Sequence, residues 1–267
     1  MKVYVTADME GVSGLVQWDA ADRQRERELI TADLNAAIAG AFDGGATEVL
    51  VGEAHANMRN ILPEAIDRRV RFLSGQPKPL NHMSNIDESF ELAMLVCYHS
   101  RSGTRRGVMA HTYTGSVYSL RFNDIEVGEL GTDAALAGHF GVPVGLVTGD
   151  QAACDEARAL LGDIETVAVK RGLSRSAAIC LPPEEARELI RAGASAACRR
   201  ADAFEPFVLD TPVEAEVTFI DPSFADCVEH LPFVTRTNGR QILFEADDFQ
   251  TAFELFNALQ FLAGTVR

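Results

Sequence analysis

The chain has 267 residues, 47% of them apolar and 24% charged, with a formal net charge of −15. That length and balance suit one large α/β domain or two modest ones and exclude general disorder. An excess of 39 acidic over 24 basic residues also excludes general nucleic-acid binding, which depends on Lys and Arg neutralising phosphates.

In chain order, residues 3–7 are β-branched and aromatic and predict a strand, followed by the loop Asp8-Met9-Glu10-Gly11-Val12-Ser13-Gly14. Leu29, Ile30, Leu34, Ala37, Ile38 and Ala41 stand at helical spacing and predict a helix over 23–42, stopped by Gly44-Gly45. Residues 47–51 predict a second buried strand that runs into Gly52-Glu53-Ala54-His55. A short third strand at 70–73 precedes a turn through Pro77 and Pro79. Residues 86–93 predict a helix, and 94–97 an apolar strand leading into Tyr98-His99. The alternating stretch 117–122, the turn pair Asn123-Asp124 and residues 125–127 predict a hairpin. An Ala-rich helix at 129–140, a strand at 143–147 and a helix at 150–161 follow.

Strands alternating with helices imply βαβ units and a largely parallel sheet. From about residue 167 the pattern changes to a helix at 182–200, strands at 213–219 and 241–245, and a final helix from 247 to about 263. The expected fold is α/β: a mainly parallel sheet flanked by helices, with a smaller α+β C-terminal part. The expected division is an α/β metal-binding domain over 1–165 and an α+β C-terminal domain or cap over 166–267.

No secretory pattern opens the sequence, because its first apolar stretch is short and ends at Asp8. No segment has the length of a membrane span. Cys97, Cys154, Cys180, Cys198 and Cys227 are scattered without a C-x-x-C pair, unlike a disulfide framework or a thiolate zinc site. A cytoplasmic protein with no membrane and no nucleic-acid partner is expected.

Three predicted strands end in metal-ligating side chains: the first in Asp8 and Glu10, the second in His55, the fourth in His99. In open parallel sheets, sites lie outside the carboxyl ends of the strands, so these residues converge despite their separation. Glu129, at the start of a helix, suits the positive end of the dipole and can face the same edge. Carboxylates with imidazoles suit zinc or a similar first-row ion. Two histidines and three carboxylates exceed what one catalytic zinc takes. They match a pair of ions about 3.5–4 Å apart sharing a carboxylate, with the short Asp8 as the bridge. Taken singly, each of these residues has an ordinary structural alternative: a turn or cap for Asp8, a satisfied buried imidazole for a histidine. No H-E-x-x-H, G-x-S-x-G or P-loop pattern is present.

The block from Val5 to Gly14 resembles the opening of the D-aminopeptidase family of zinc metallopeptidases. Further collinear blocks are Glu53-Ala54-His55-Ala56-Asn57-Met58, Gly75-Gln76-Pro77-Lys78-Pro79, Tyr98-His99-Ser100-Arg101 and Gly107-Val108-Met109-Ala110-His111-Thr112. Asn123 to Gly131, Gly149-Asp150, Ala168-Val169-Lys170 and Ser174-Arg175-Ser176-Ala177 continue them, over roughly the first two-thirds of the chain. The resemblance implies two zinc ions per subunit, with Asp8 bridging, Glu10 and His55 completing one ion's ligands, and His99 and Glu129 the other's. It implies a catalytic role for His111, as nucleophile, general base or oxyanion stabiliser. The implied reaction removes N-terminal D-amino acids from short peptides or amides by metal-activated water. The implied assembly is a large ring-like homo-oligomer, a decamer among the possibilities, with its sites facing an inner channel.

Before the second-strand histidine the family commonly has Asp-Ser, where this chain has Glu53-Ala54. His82, His139 and His230 match no functional position and are expected to be surface or structural residues. Arg101, Ser174 and Arg175 can hold a substrate carboxylate or serve as ordinary solvated groups. Two rivals stand beside the aminopeptidase reading. One is a two-metal hydrolase of other specificity, such as an L-aminopeptidase, amidohydrolase or phosphoesterase. The other is a non-catalytic peptide- or metal-binding protein.

Overall fold

The computed structural model describes residues 1–18 and 20–266. Lys2–Ala7 forms the first strand, β1, buried from Val3 onward. Burial on both faces of the pleat is what a central strand of a parallel sheet requires. Beside it in chain order come α1 (Arg23–Asp43), β2 (Glu48–Glu53), β3 (Arg71–Phe72) and β4 (Leu92–Tyr98). The hairpin β5 (Val117–Phe122) and β6 (Ile125–Val127) precedes α2 (Glu129–His139), β7 (Val144–Asp150) and α3 (Gln151–Leu161). Next are β8 (Glu165–Ser174), β9 (Ala177–Cys180) and α4 (Pro183–Arg199). The chain ends with β10 (Val213–Phe219), α5 (Pro222–Val228), β11 (Thr235–Arg236), β12 (Gln241–Ala246) and α6 (Phe249–Ala263).

The α/β expectation holds. Seven strands form one sheet in the order β3-β2-β1-β4-β7-β8-β9, parallel from β3 to β8, with β9 antiparallel at the edge. Helices flank it: α1 packs on α4, and α3 on β7 and β8. A second, antiparallel sheet has the order β11-β12-β10-β5-β6, and α6 packs on its β10 and β12 as well as on α2. Asn123 and Asp124 both take left-handed φ, 48° and 66°, as a two-residue type I′ hairpin requires.

The order of the large sheet reverses at β1, which grows toward β2 and β3 on one side and toward β4, β7 and β8 on the other. Such a reversal opens a crevice at the carboxyl ends of the two innermost strands. The register aligns those ends, pairing Ala7 with Glu53 and with Val96. Asp8 N–H then bonds Val96 O at 2.9 Å, and Gly11 N–H bonds Cys97 O at 2.7 Å.

The structure differs from the sequence expectations at several points. The helix expected over 86–93 is absent: Asp87 accepts from Ser89 N–H at 2.9 Å and from the Ser89 hydroxyl, a local turn that competes with helix formation. That turn folds Phe90 onto Tyr4, edge to face at 5.4 Å. The change of pattern near 167 does not end the large sheet, since β8 and β9 extend it. The two sheets also do not divide the chain at 165, because β5 and β6 belong to the smaller one. Helix α5 was not expected; Pro222 opens it, and Asp221 caps it by accepting from Ser223 N–H at 2.9 Å.

Candidate metal centre

All five expected donors meet at the β1/β4 crevice. Asp8 lies between two histidines, 3.5 Å from His55 Nδ1 through Oδ1 and 3.3 Å from His99 Nε2 through Oδ2. Glu10 Oε1 is 3.1 Å from His55 Nδ1. Glu129 Oε1 is 3.4 Å from His99 Nε2 and 3.6 Å from His111 Nε2. Asp8, Glu10, His99 and Glu129 are buried, while His55 and His111 are half-buried and face a cleft of about 450 Å³.

The hydrogen bonds around the rings fix which nitrogen faces inward. His99 Nδ1 is 2.9 Å from Ser100 O, and His111 Nδ1 is 2.9 Å from Met109 O. A carbonyl only accepts, so both Nδ1 atoms carry protons and each Nε2 is turned to the carboxylates. Asp8 Oδ2 and His99 Nε2 are buried without a hydrogen-bond partner. A divalent cation satisfies such atoms, and two donor groups have ligand atoms within 4.8 Å of one another: Asp8, Glu10 and His99, and His99, His111 and Glu129. The donor set therefore fits a cation of the zinc type.

The electrostatics agree. Burial alone pushes the Asp8 carboxyl up, but the imidazoles of His55 and His99 beside it outweigh this and hold it well below the carboxylate range. Burial likewise opposes ionisation of Glu129, yet the His99 imidazole brings it down to about 2. Burial disfavours a charged His55, and the Glu10 and Asp8 carboxylates reverse this and raise it to about 10. Carboxylates held ionised in one buried place, as Asp8 and Glu129 are, demand compensating positive charge.

Loops hold the donors in place. Lys170, buried on β8, donates from Nζ to Glu10 O at 2.5 Å, Val12 O at 2.9 Å and Leu15 O at 2.5 Å. Glu53 accepts from Asn60 N–H at 2.5 Å, and Asn60 Nδ2 donates to His55 O at 2.8 Å. Glu53 thus braces the loop that presents His55.

Sequence reasoning missed five neighbours of the site. His82 is not on the surface: it is buried, 3.9 Å from Glu129 Oε2, with Nδ1 2.9 Å from Asp133 Oδ2. Tyr98 donates to the same Asp133 oxygen at 2.6 Å. Trp18 donates from Nε1 to Glu10 Oε1 at 2.9 Å, its ring 5.8 Å from His111. Lys170 was visible only as part of a sequence block. Asp133 carried a readable signal, lying one helical turn after Glu129 on the same face. His139 packs edge-on against Phe140, and His230 is exposed beside Glu229. Arg101 pairs with Glu126 at 3.2 Å and lines a separate recess, whereas Arg175 lies 5.8 Å over Trp18. Ser174 is exposed on β8.

The family model described as D-aminopeptidase, peptidase family M55, matches residues 1–258. The match thus continues through the last third, beyond the motif blocks. A D-aminopeptidase of Bacillus subtilis (strain 168) is 35% identical over 270 residues, covering 98% of each chain. The solved structure of the Zn-dependent D-aminopeptidase DppA from Bacillus subtilis, a self-compartmentalizing protease, superposes with a TM-score of 0.95 at 33% identity. It covers 99% of this chain and 98% of that one. With a family match over almost its whole length and a full-length relative, this chain belongs to the D-aminopeptidase family.

Proposed function

We propose that the protein is a zinc-dependent aminopeptidase that removes N-terminal D-amino acids from short peptides or amides. The observation that carries this reading is Asp8 reaching a histidine through each of its two oxygens. In this reading Asp8 would contribute to holding both of two zinc ions, with Glu10 and His55 as further ligands of one and His99 and Glu129 of the other. When bound, such a pair supplies Lewis acidity for the scissile carbonyl and lowers the pKa of water.

The chain's own residues do the rest. The cleft has no lysine or arginine among its described lining residues, so a substrate's amino terminus meets carboxylates, imidazoles and neutral groups. His111, fixed through Nδ1 to Met109 O, presents Nε2 toward the centre and moves a proton or stabilises charge there. Trp18 walls one side of the cleft. Preference for the D configuration rests on family membership.

A second reading has its own support: His111 joins His99 and Glu129 in one donor group, which would make it a ligand. Two bound zinc ions in folded His111→Ala favour the proton-transfer role, and one ion favours ligation.

We also place the protein in the cytoplasm as a homo-oligomer, a decameric ring among the candidates. Five unbonded cysteines and the absence of a membrane-length apolar helix among the described residues support this placement. The self-compartmentalizing relative supports the assembly, which light scattering and electron microscopy test. For the activity, the zinc-loaded protein is assayed on D-alanyl, L-alanyl and phosphate-ester substrates, with metal analysis of the purified protein. Hydrolysis confined to the D-alanyl substrates supports the proposal. Turnover only of another class, or zinc-dependent peptide binding without turnover, sinks it.

A further inference from the structure

The cleft described above is acidic and histidine-rich, but it is not isolated. Trp18, His55 and Ala56 line both the cleft and an adjoining recess of about 200 Å³. Arg23 lines that recess and also a further cavity of about 570 Å³. The cleft and this second cavity thus border the same recess, each sharing lining residues with it.

The second cavity has the opposite charge. Arg23, Arg27 and Arg59 line it, with no acidic residue among its described lining. Arg23 and Arg27 stand four apart on α1, where like charges share a face and repel. Arg59 comes from the loop that carries His55. In a chain of net charge −15, none of the three forms an ion pair among the described residues, although Arg25 between them pairs with Glu28 at 3.6 Å. Arg27 is held in place by bonds from Nε to Asn60 O at 3.1 Å and from Nη2 to Ile61 O at 3.3 Å. Glu26 lines the intermediate recess, so acid gives way to base along the path.

We propose that this arginine cavity is a subsite for the C-terminal carboxylate of the peptide substrate. The inference rests on the aminopeptidase reading and adds a substrate class: peptides with a free carboxyl terminus, of three or four residues. A zwitterionic peptide has its ammonium at one end and its carboxylate at the other. The path offers carboxylates at one end and guanidinium groups, which suit carboxylates, at the other. An extended chain advances about 3.3–3.6 Å per residue, and in this proposal the residues beyond the second span the intervening recess.

The test uses the zinc-loaded full-length protein and D-alanyl peptides of two, three and four residues, each as free acid and as C-terminal amide. For three and four residues the acid should be favoured over the amide about tenfold, through KM and not kcat. That ratio should fall toward one at high salt and in the double variant Arg23→Gln/Arg59→Gln. The charge-reversed Arg23→Glu/Arg59→Glu should invert it in favour of the amide. Circular dichroism and zinc content check that each variant is folded. Equal KM for acid and amide at every length, or a ratio unmoved by both variants, overturns the subsite while leaving the aminopeptidase reading intact. Failure to hydrolyse any D-alanyl peptide or amide overturns the reading beneath it.

Discussion

Asp8 is the residue on which the centre turns, because each of its oxygens faces a different histidine. In the proposed centre, replacing it would remove a shared ligand, whereas replacing His111 removes a group anchored on the cleft wall by its own Nδ1 bond. The two substitutions should therefore separate. Asp8→Ala should lose zinc and at least 10³-fold in kcat/KM. His111→Ala should keep zinc and lose about 10²–10⁴-fold, the range typical of a positioned proton-transfer group. Full activity in folded variants of both kinds contradicts the mechanism. Lys78 gives a pH prediction away from the ligands. Burial pushes its ammonium down to about 8 from the ordinary 10.5, despite the nearby Glu53 and Asp133. Below pH 8 it is protonated in folded and unfolded chains alike, so the cost of burying the charge is constant. Between pH 8 and 10.5 the unfolded chain binds the extra proton, and stability rises with pH. The unfolding free energy of the wild type relative to Lys78→Met, measured in urea, should climb across that window; a flat difference refutes the assignment.

At the scale of elements, the site depends on loops pressed against strand ends. A Cβ at Gly11 would overlap the Cys97 carbonyl and the Tyr98 oxygen at the end of β4. Gly11→Ala must therefore push the Glu10 loop away from β4. The expected cost is about 1–3 kcal/mol, as for other overpacking changes, with zinc affinity weakened at least tenfold. Chelator competition and thermal unfolding read the two effects, and unchanged affinity would show that Glu10 does not depend on this packing. These loops and the end of β4 hold backbone that side chains seldom adopt. Ala56, Met58, Cys97, Met109 and Tyr113 all have φ between 49° and 62°, each within three residues of His55, His99 or His111. Left-handed non-glycine residues typically cluster at functional sites, where surrounding contacts hold them. Nothing in the identity of an alanine or a methionine announces such a conformation, which is why these loops could not be drawn from sequence.

At the scale of the molecule, bound metal would tie together the ends of β1, β2 and β4 and the start of α2. Zinc at about 100 times its Kd adds roughly 2.7 kcal/mol to folding, so chelation should lower Tm by about 5–10 °C for a chain of this size. A Tm indifferent to chelator and to added zinc would argue against a site spanning these elements. The sequence alone determined the strand–helix alternation, the parallel sheet and the five candidate ligands that the structure brings together. Both kinds of information are local: periodicity marks the elements, and a ligand at a strand end marks the edge it faces. Only the tertiary structure decided which strands share a sheet, carrying β8 and β9 into the large one and β5 and β6 out of it. It also brought His82 within 3.9 Å of Glu129 Oε2 and placed Arg23 and Arg59 around one cavity. Those placements depend on contacts between residues far apart in the chain, and such contacts leave no periodic trace in it.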